Sequence, residues 1–173
     1  LEKKFLSDFP FKETPDQASA WDDISNDLAS NSPMDRLLCG DVGFGKTELA
    51  IRAAFRVVLS NKRVVILSPT TILANQLYAS FSARLNPFAI STDVVSRFKS
   101  AKGVDGVLLN IKNGHNDVLI GTHLLLNNIN FLNNVGLLIV DEEHRFGVKQ
   151  KERIRLFKTG LDILSLSATP IPR

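Results

Sequence analysis

Gly40-Asp41-Val42-Gly43-Phe44-Gly45-Lys46-Thr47 places small residues, one cation and one hydroxyl at the spacing G-x-x-x-x-G-K-[ST]. One chemistry uses that set, the holding of a nucleoside triphosphate. Small residues let backbone N–H groups wrap the phosphates, and a helix beginning near Lys46 aims its positive dipole end at them. Lys46 then reaches the β- and γ-phosphates while the Thr47 hydroxyl ligates Mg²⁺. Asp41, Val42, Gly43, Phe44, Gly45 and Glu48 fall within the same expected nucleotide site. An ordinary Gly-rich turn has no need of Lys-Thr after its last Gly.

A second stretch supplies acid. Val135-Gly136-Leu137-Leu138-Ile139-Val140 leads into Asp141-Glu142-Glu143-His144, an apolar strand delivering carboxylates at its carboxyl end. Asp141 is placed to hold Mg²⁺, usually through water, and Glu142 to orient and deprotonate the water that attacks the γ-phosphate.

The elements that must position these groups alternate. Apolar runs predict strands near 36–40, 63–68, 92–96, 117–121, 135–141 and 162–167, and helical patterns lie near 46–60, 72–85, 102–113 and 145–158. Most of the strands are continuous apolar runs, which belong to a parallel sheet covered on both faces. The pattern predicts a doubly wound α/β sandwich with ligands outside the carboxyl ends of its strands. Thr14-Pro15-Asp16-Gln17 opens a further helix, with Thr as cap, Pro in the first turn and Gln three residues on, burying Ala18, Trp21, Ile24 and Leu28. Residues 1–13 read as a lead-in or linker end, and 14–173 as one domain.

Composition sets bounds. The chain has 173 residues, 44% of them hydrophobic, enough for one well-packed domain and too few for two of ordinary size. Its single cysteine, Cys39, excludes an internal disulfide and is expected in the core; a reducing compartment fits. No apolar run is long enough to span a membrane, so a soluble, cytoplasmic protein is expected. A net charge of +3 permits a nucleic-acid partner without requiring one. With Leu at position 1 and Met34 as the sole methionine, the chain reads as a fragment of a longer protein.

Asp141-Glu142-Glu143-His144 is a DExH tetrad. With Gly40 to Thr47 and Ser167-Ala168-Thr169, it makes the chain resemble the first RecA-like lobe of a superfamily 2 helicase or translocase. The resemblance covers nearly the whole chain. Pro69-Thr70-Thr71-Ile72-Leu73-Ala74-Asn75-Gln76 is similar to motif Ia, Ile120-Gly121-Thr122-His123 to the motif Ib region, and Thr14 to Gln17 to the adenine-reading Q-type motif. It implies a RecA-like P-loop fold, ATP and Mg²⁺ as cofactors, and a second RecA-like lobe closing on the nucleotide to supply arginine fingers. Gln17 would then read adenine through its amide, although Thr14 and Gln17 also suffice as a capping box. Phe9 or Phe11 could stack on the base or plug the core. His144 would sense the γ-phosphate site and pass its state to Ser167, Ala168 and Thr169.

The resemblance also implies a partner, duplex DNA held by its backbone. Thr70, Thr71 and Gln76, then Thr122 and His123, follow two strands at the expected ligand end; Arg97, Phe98 and Lys99 follow a third. Within the superfamily, Met34 to Thr47 and Ser167 to Arg173 are similar to two families, the bacterial transcription-repair coupling factors and the RecG-type replication-fork helicases. Phe44, Glu143 and Ser96 to Lys99 tilt toward the first, which implies RNA polymerase and nucleotide excision repair proteins as partners of the longer protein. Two other classes use the same phosphate loop. A small kinase would want an Arg-bearing lid, and no Arg cluster lies between Thr122 and Asp141; a nucleotide-gated binding module would bind without useful turnover.

Overall fold

The computed structural model describes residues 1–40, 45–95, 106, 109, 113, 116–126, 134–157 and 160–168. Six strands, β1 (Asp35–Cys39), β2 (Arg63–Leu67), β3 (Thr92–Val95), β4 (Val118–Gly121), β5 (Val135–Asp141) and β6 (Asp162–Ser167), form one sheet in the order β1-β6-β5-β2-β4-β3. Every pairing is parallel. Each strand therefore ends on the same side, and the segments after Cys39, Leu67, Gly121, Asp141 and Ser167 emerge along one rim. The helices are α1 (Glu2–Ser7), α2 (Pro15–Ala29), α3 (Lys46–Leu59), α4 (Thr71–Leu85) and α5 (Val148–Phe157).

Alternation along the strands divides the core in two. Val64, Ile66, Val118, Ile120, Leu137, Ile139, Leu164 and Leu166 face one way, into a cluster with Phe5, Ile24, Phe55 and Phe81 from α1 to α4. Val65, Leu67, Leu119, Leu138, Val140 and Ile163 face the other way, against Leu125, Leu126, Phe146 and Ile154 of α5. Both faces are covered, which is why these strands read as unbroken apolar runs. The chain has the expected RecA-like α/β architecture, and all six strands lie within a residue or so of their expected positions.

Three expectations need correction. The lead-in contains a helix: Phe5 of α1 is fully buried, stacked on Phe55 with centroids 4.0 Å apart and edge-on to Phe88. Arg84 lies over the Phe5 ring at 4.1 Å and donates to its carbonyl, so residues expected as a linker end are anchored to α3 and α4. Cys39 is exposed. It sits on the edge strand β1, where Leu38 takes the inward position and Leu37 and Cys39 point to the opposite face. The last helix starts at Val148 rather than near 145, because Glu143–Arg145 forms a 3₁₀ turn and the Gly147 N–H is taken by the Gln150 side chain. The helix expected over 102–113 lies largely outside the described residues.

Candidate nucleotide site and adjoining groove

The candidate nucleotide half of the rim is built by β1, β6 and β5. Gly45, the last Gly of the phosphate loop, adopts φ +85° at the amino end of α3, a left-handed conformation that costs an L side chain about 1–2 kcal/mol. A Cβ there would also collide with the Gln17 side-chain amide. The capping box is present: the Gln17 N–H donates to Thr14 Oγ1 at 3.2 Å and the Thr14 N–H donates to Gln17 Oε1 at 2.9 Å. Gln17 thus spends its oxygen on the helix cap while its nitrogen lies against the phosphate loop. Lys46 donates from Nζ to the Gly40 carbonyl, just past the end of β1. Asp41, Val42, Gly43 and Phe44 lie outside the described residues.

Thr47 and Asp141 line one cavity of about 220 Å³, together with Leu73, Gln76, Leu77 and Ser80. The Asp141 carboxyl is pushed up to about 6, first by burial and then by the neighbouring Glu142 carboxylate, with Lys46, Arg145 and His144 pulling it back. A carboxylate so placed is short of positive charge. A hydroxyl and a single carboxylate suit Mg²⁺, which keeps several waters and takes phosphate oxygens rather than an all-protein cage. Among the described residues no group of three or more His, Cys, Asp or Glu forms such a cage. Thr47 and Asp141 therefore fit the cation.

Glu142 leaves β5 in the left-handed region, φ 51° and ψ 51°, a strained conformation for a residue with a side chain. Its N–H donates to the Leu166 carbonyl at 2.9 Å, and the Gly40 N–H donates to the Ser167 carbonyl at 3.2 Å. Two consecutive carbonyls at the end of β6 thus tie the acidic turn to the start of the phosphate loop. His144 Nε2 lies 3.3 Å from Glu142 Oε2, and the Ser165 hydroxyl donates to Glu143 Oε2 at 3.4 Å. Ser167 is buried, Ala168 follows it half-buried, and Thr169 lies outside the described residues. Ser165 was missed from sequence, although a hydroxyl inside the apolar run Ile163 to Ser167 was a visible signal.

Glu48 is placed differently from the expected phosphate neighbourhood. Its buried carboxylate accepts from Arg84 Nε at 3.0 Å and Arg52 Nε at 3.3 Å, and Arg52 also reaches Glu13 at 3.2 Å. The carboxylate ties α3 to α4. Phe9 has Arg52 over its ring at 5.3 Å and meets Phe11 edge-on, while Phe11 is exposed.

The other half of the rim is a groove of about 460 Å³ lined by Pro69, Thr70, Thr71, Ile72, Thr122, His123 and Leu124. The adjacency of β2 and β4 brings these two threonine-bearing segments together, and the Ser68 N–H donates to the Gly121 carbonyl at 2.9 Å. Thr70 caps α4, its hydroxyl accepting from the Leu73 N–H at 3.2 Å. Gln76, grouped with these residues from sequence, lines the Thr47–Asp141 cavity instead. Arg97, Phe98 and Lys99 lie outside the described residues.

The family model for DEAD/DEAH box helicases matches residues 14–173. The chain belongs to the DEAD/DEAH box helicase family. Among curated members, it is 52% identical over 169 residues to the transcription-repair-coupling factor of Staphylococcus haemolyticus, covering 98% of this chain and 14% of that protein. It is 51% identical over 173 residues to the one from Borreliella burgdorferi, covering 100% of this chain and 15% of the relative. Among solved structures it is similar to RecG bound to a three-way DNA junction, at TM-score 0.85 and 36% identity, covering 99% of this chain and 23% of that one. The chain thus spans about one-seventh of the length of these curated relatives. No helix among the described residues is long and apolar enough to cross a membrane.

Proposed function

We propose that this chain is the ATP-binding lobe of a double-stranded DNA translocase that serves transcription-coupled repair. The observation that carries the reading is the single rim on which Lys46, Thr47, Asp141 and Glu142 adjoin a groove lined by Thr70, Thr71, Thr122 and His123. Lys46 exchanges the Gly40 carbonyl for the triphosphate, and Gln17 steadies the loop from the side. Bound Mg²⁺ would neutralise phosphate charge, with Thr47 and Asp141 as its protein ligands. Glu142 accepts a proton from the attacking water, while His144 orients its carboxylate. The carbonyls of Leu166 and Ser167 carry a change at Glu142 to the phosphate loop.

In the groove, hydroxyls and the free N–H groups of α4's first turn take DNA phosphates, so binding is indifferent to sequence and falls with salt. The second lobe would supply arginine fingers, worth about 10³–10⁵ in rate, so the isolated chain binds nucleotide far better than it hydrolyses it. In the longer protein, translocation pushes a stalled RNA polymerase, and other domains recruit the excision repair proteins. Identity of 50–52% to the coupling factors against 36% to RecG favours this reading over fork regression.

A protein carrying both lobes and its natural flanks tests it, assayed on a stalled transcription complex and on a synthetic fork. ATP-dependent polymerase release that Glu142→Gln abolishes, with nucleotide binding retained, is expected. Fork regression without release would contradict the proposed role.

A further inference from the structure

We infer that Gln76 is a positioning residue of the nucleotide's metal end and not a DNA contact; this rests on the reading that Thr47 and Asp141 hold Mg-nucleotide. Helix α4 follows β2, which lies between β5, the acidic strand, and β4, the strand leading to Thr122. Its amino end belongs to the groove through Thr70 and Thr71. Six residues past Thr70, a rise of about 9 Å, the helix has left the groove. There Leu73, Gln76, Leu77 and Ser80, spaced along one face, form the wall opposite Thr47 and Asp141.

Gln76 carries the largest polar group on that wall. It is exposed, and among the described residues its carboxamide makes no hydrogen bond, although it offers both a donor and an acceptor. Leu73 and Leu77 present no polar atoms, and Ser80 is too short to span the cavity. Mg²⁺ bound by one hydroxyl and one carboxylate keeps waters that need acceptors beyond the first ligands. The Gln76 oxygen would accept from such a water, ordering the metal's hydration shell without touching the ion. One helix then bears on both halves of the rim.

The test is calorimetric titration of this chain with a non-hydrolysable ATP analogue, in Mg²⁺ and in EDTA. Gln76→Ala should reduce the affinity gained from Mg²⁺ about three- to tenfold while leaving metal-free binding unchanged. Gln76→Glu, which keeps the length and an acceptor oxygen, should restore the Mg²⁺ response. A full Mg²⁺ response in Gln76→Ala overturns the inference, as does an equal loss in both buffers, which marks ordinary packing or nucleotide contact. If the parent chain itself gains nothing from Mg²⁺, the nucleotide-site reading fails and this inference falls with it.

Discussion

Replacing Asp141 by Asn should stabilise the nucleotide-free chain while removing much of its response to Mg²⁺. Burial and the Glu142 carboxylate raise the Asp141 pKa from 3.8 to about 6, so at neutral pH the fold holds an ionised group it disfavours. Each pKa unit corresponds to about 1.4 kcal/mol, and partial exposure trims the total to about 1–3 kcal/mol. A raised carboxyl pKa contributes stability that is present below the unfolded value and lost as pH rises through the folded one. The parent's deficit relative to Asn is therefore full above pH 7, shrinks as pH falls through 6, and disappears near pH 4. For a domain of this size about 2–4 °C accompanies each kcal/mol, giving a rise of roughly 2–12 °C for Asp141→Asn at pH 7.5. Thermal unfolding of both proteins in EDTA at pH 7.5 and pH 5 measures it. An Asn variant equal to or less stable than the parent at pH 7.5, or a difference that ignores pH, would refute the reasoning.

Gly45→Ala combines a positive φ with a collision against Gln17, so it should cost about 1–3 kcal/mol in urea unfolding. Adding Gln17→Ala should relieve the collision but not the backbone strain, and it gives up the Gln17 half of the α2 capping box. Glu48→Ala strips the shared carboxylate from Arg52 and Arg84 and should cost about 3–5 kcal/mol, read as a lowered urea midpoint. Thr70→Ala removes the α4 cap as well as a groove hydroxyl, so a loss of about 1 kcal/mol in stability should accompany weaker duplex DNA binding in a fluorescence titration. Thr122→Ala removes a buried hydroxyl that accepts from the Leu124 N–H at 3.5 Å at the start of a 3₁₀ turn, so weaker duplex binding should again accompany a loss of about 1 kcal/mol in stability.

Much of the fold was legible because both sheet faces are covered: unbroken apolar runs gave the strands, and punctuation by Gly45, Thr70 and Pro15 gave the helix starts. Parallel pairing then forced every strand end onto one rim, which is why the phosphate loop and acidic tetrad could be placed together from sequence. Side-chain direction was less legible. Motif membership grouped Gln76 with Thr70, but six residues of helix turn it toward Asp141. Adjacency to Lys46 and Thr47 grouped Glu48 with the phosphates, yet its carboxylate pairs with Arg52, one turn further along α3, and with Arg84 of α4. Cys39 was assigned to the core because an apolar strand suggests two covered faces, whereas β1 is an edge strand. Phe5 gave no periodic signal, since a six-residue helix is too short to show one.

The central claim, that this chain closes around Mg-nucleotide through its Gly45-Lys46-Thr47 segment, is tested most directly by calorimetric titration of Mg-ADP into the parent and Lys46→Ala. Saturable one-to-one binding by the parent and about tenfold or greater loss in the variant are expected, because the ammonium that bonds the Gly40 carbonyl is the group that turns to the phosphates. Equal affinities, or no binding by the parent, would contradict it.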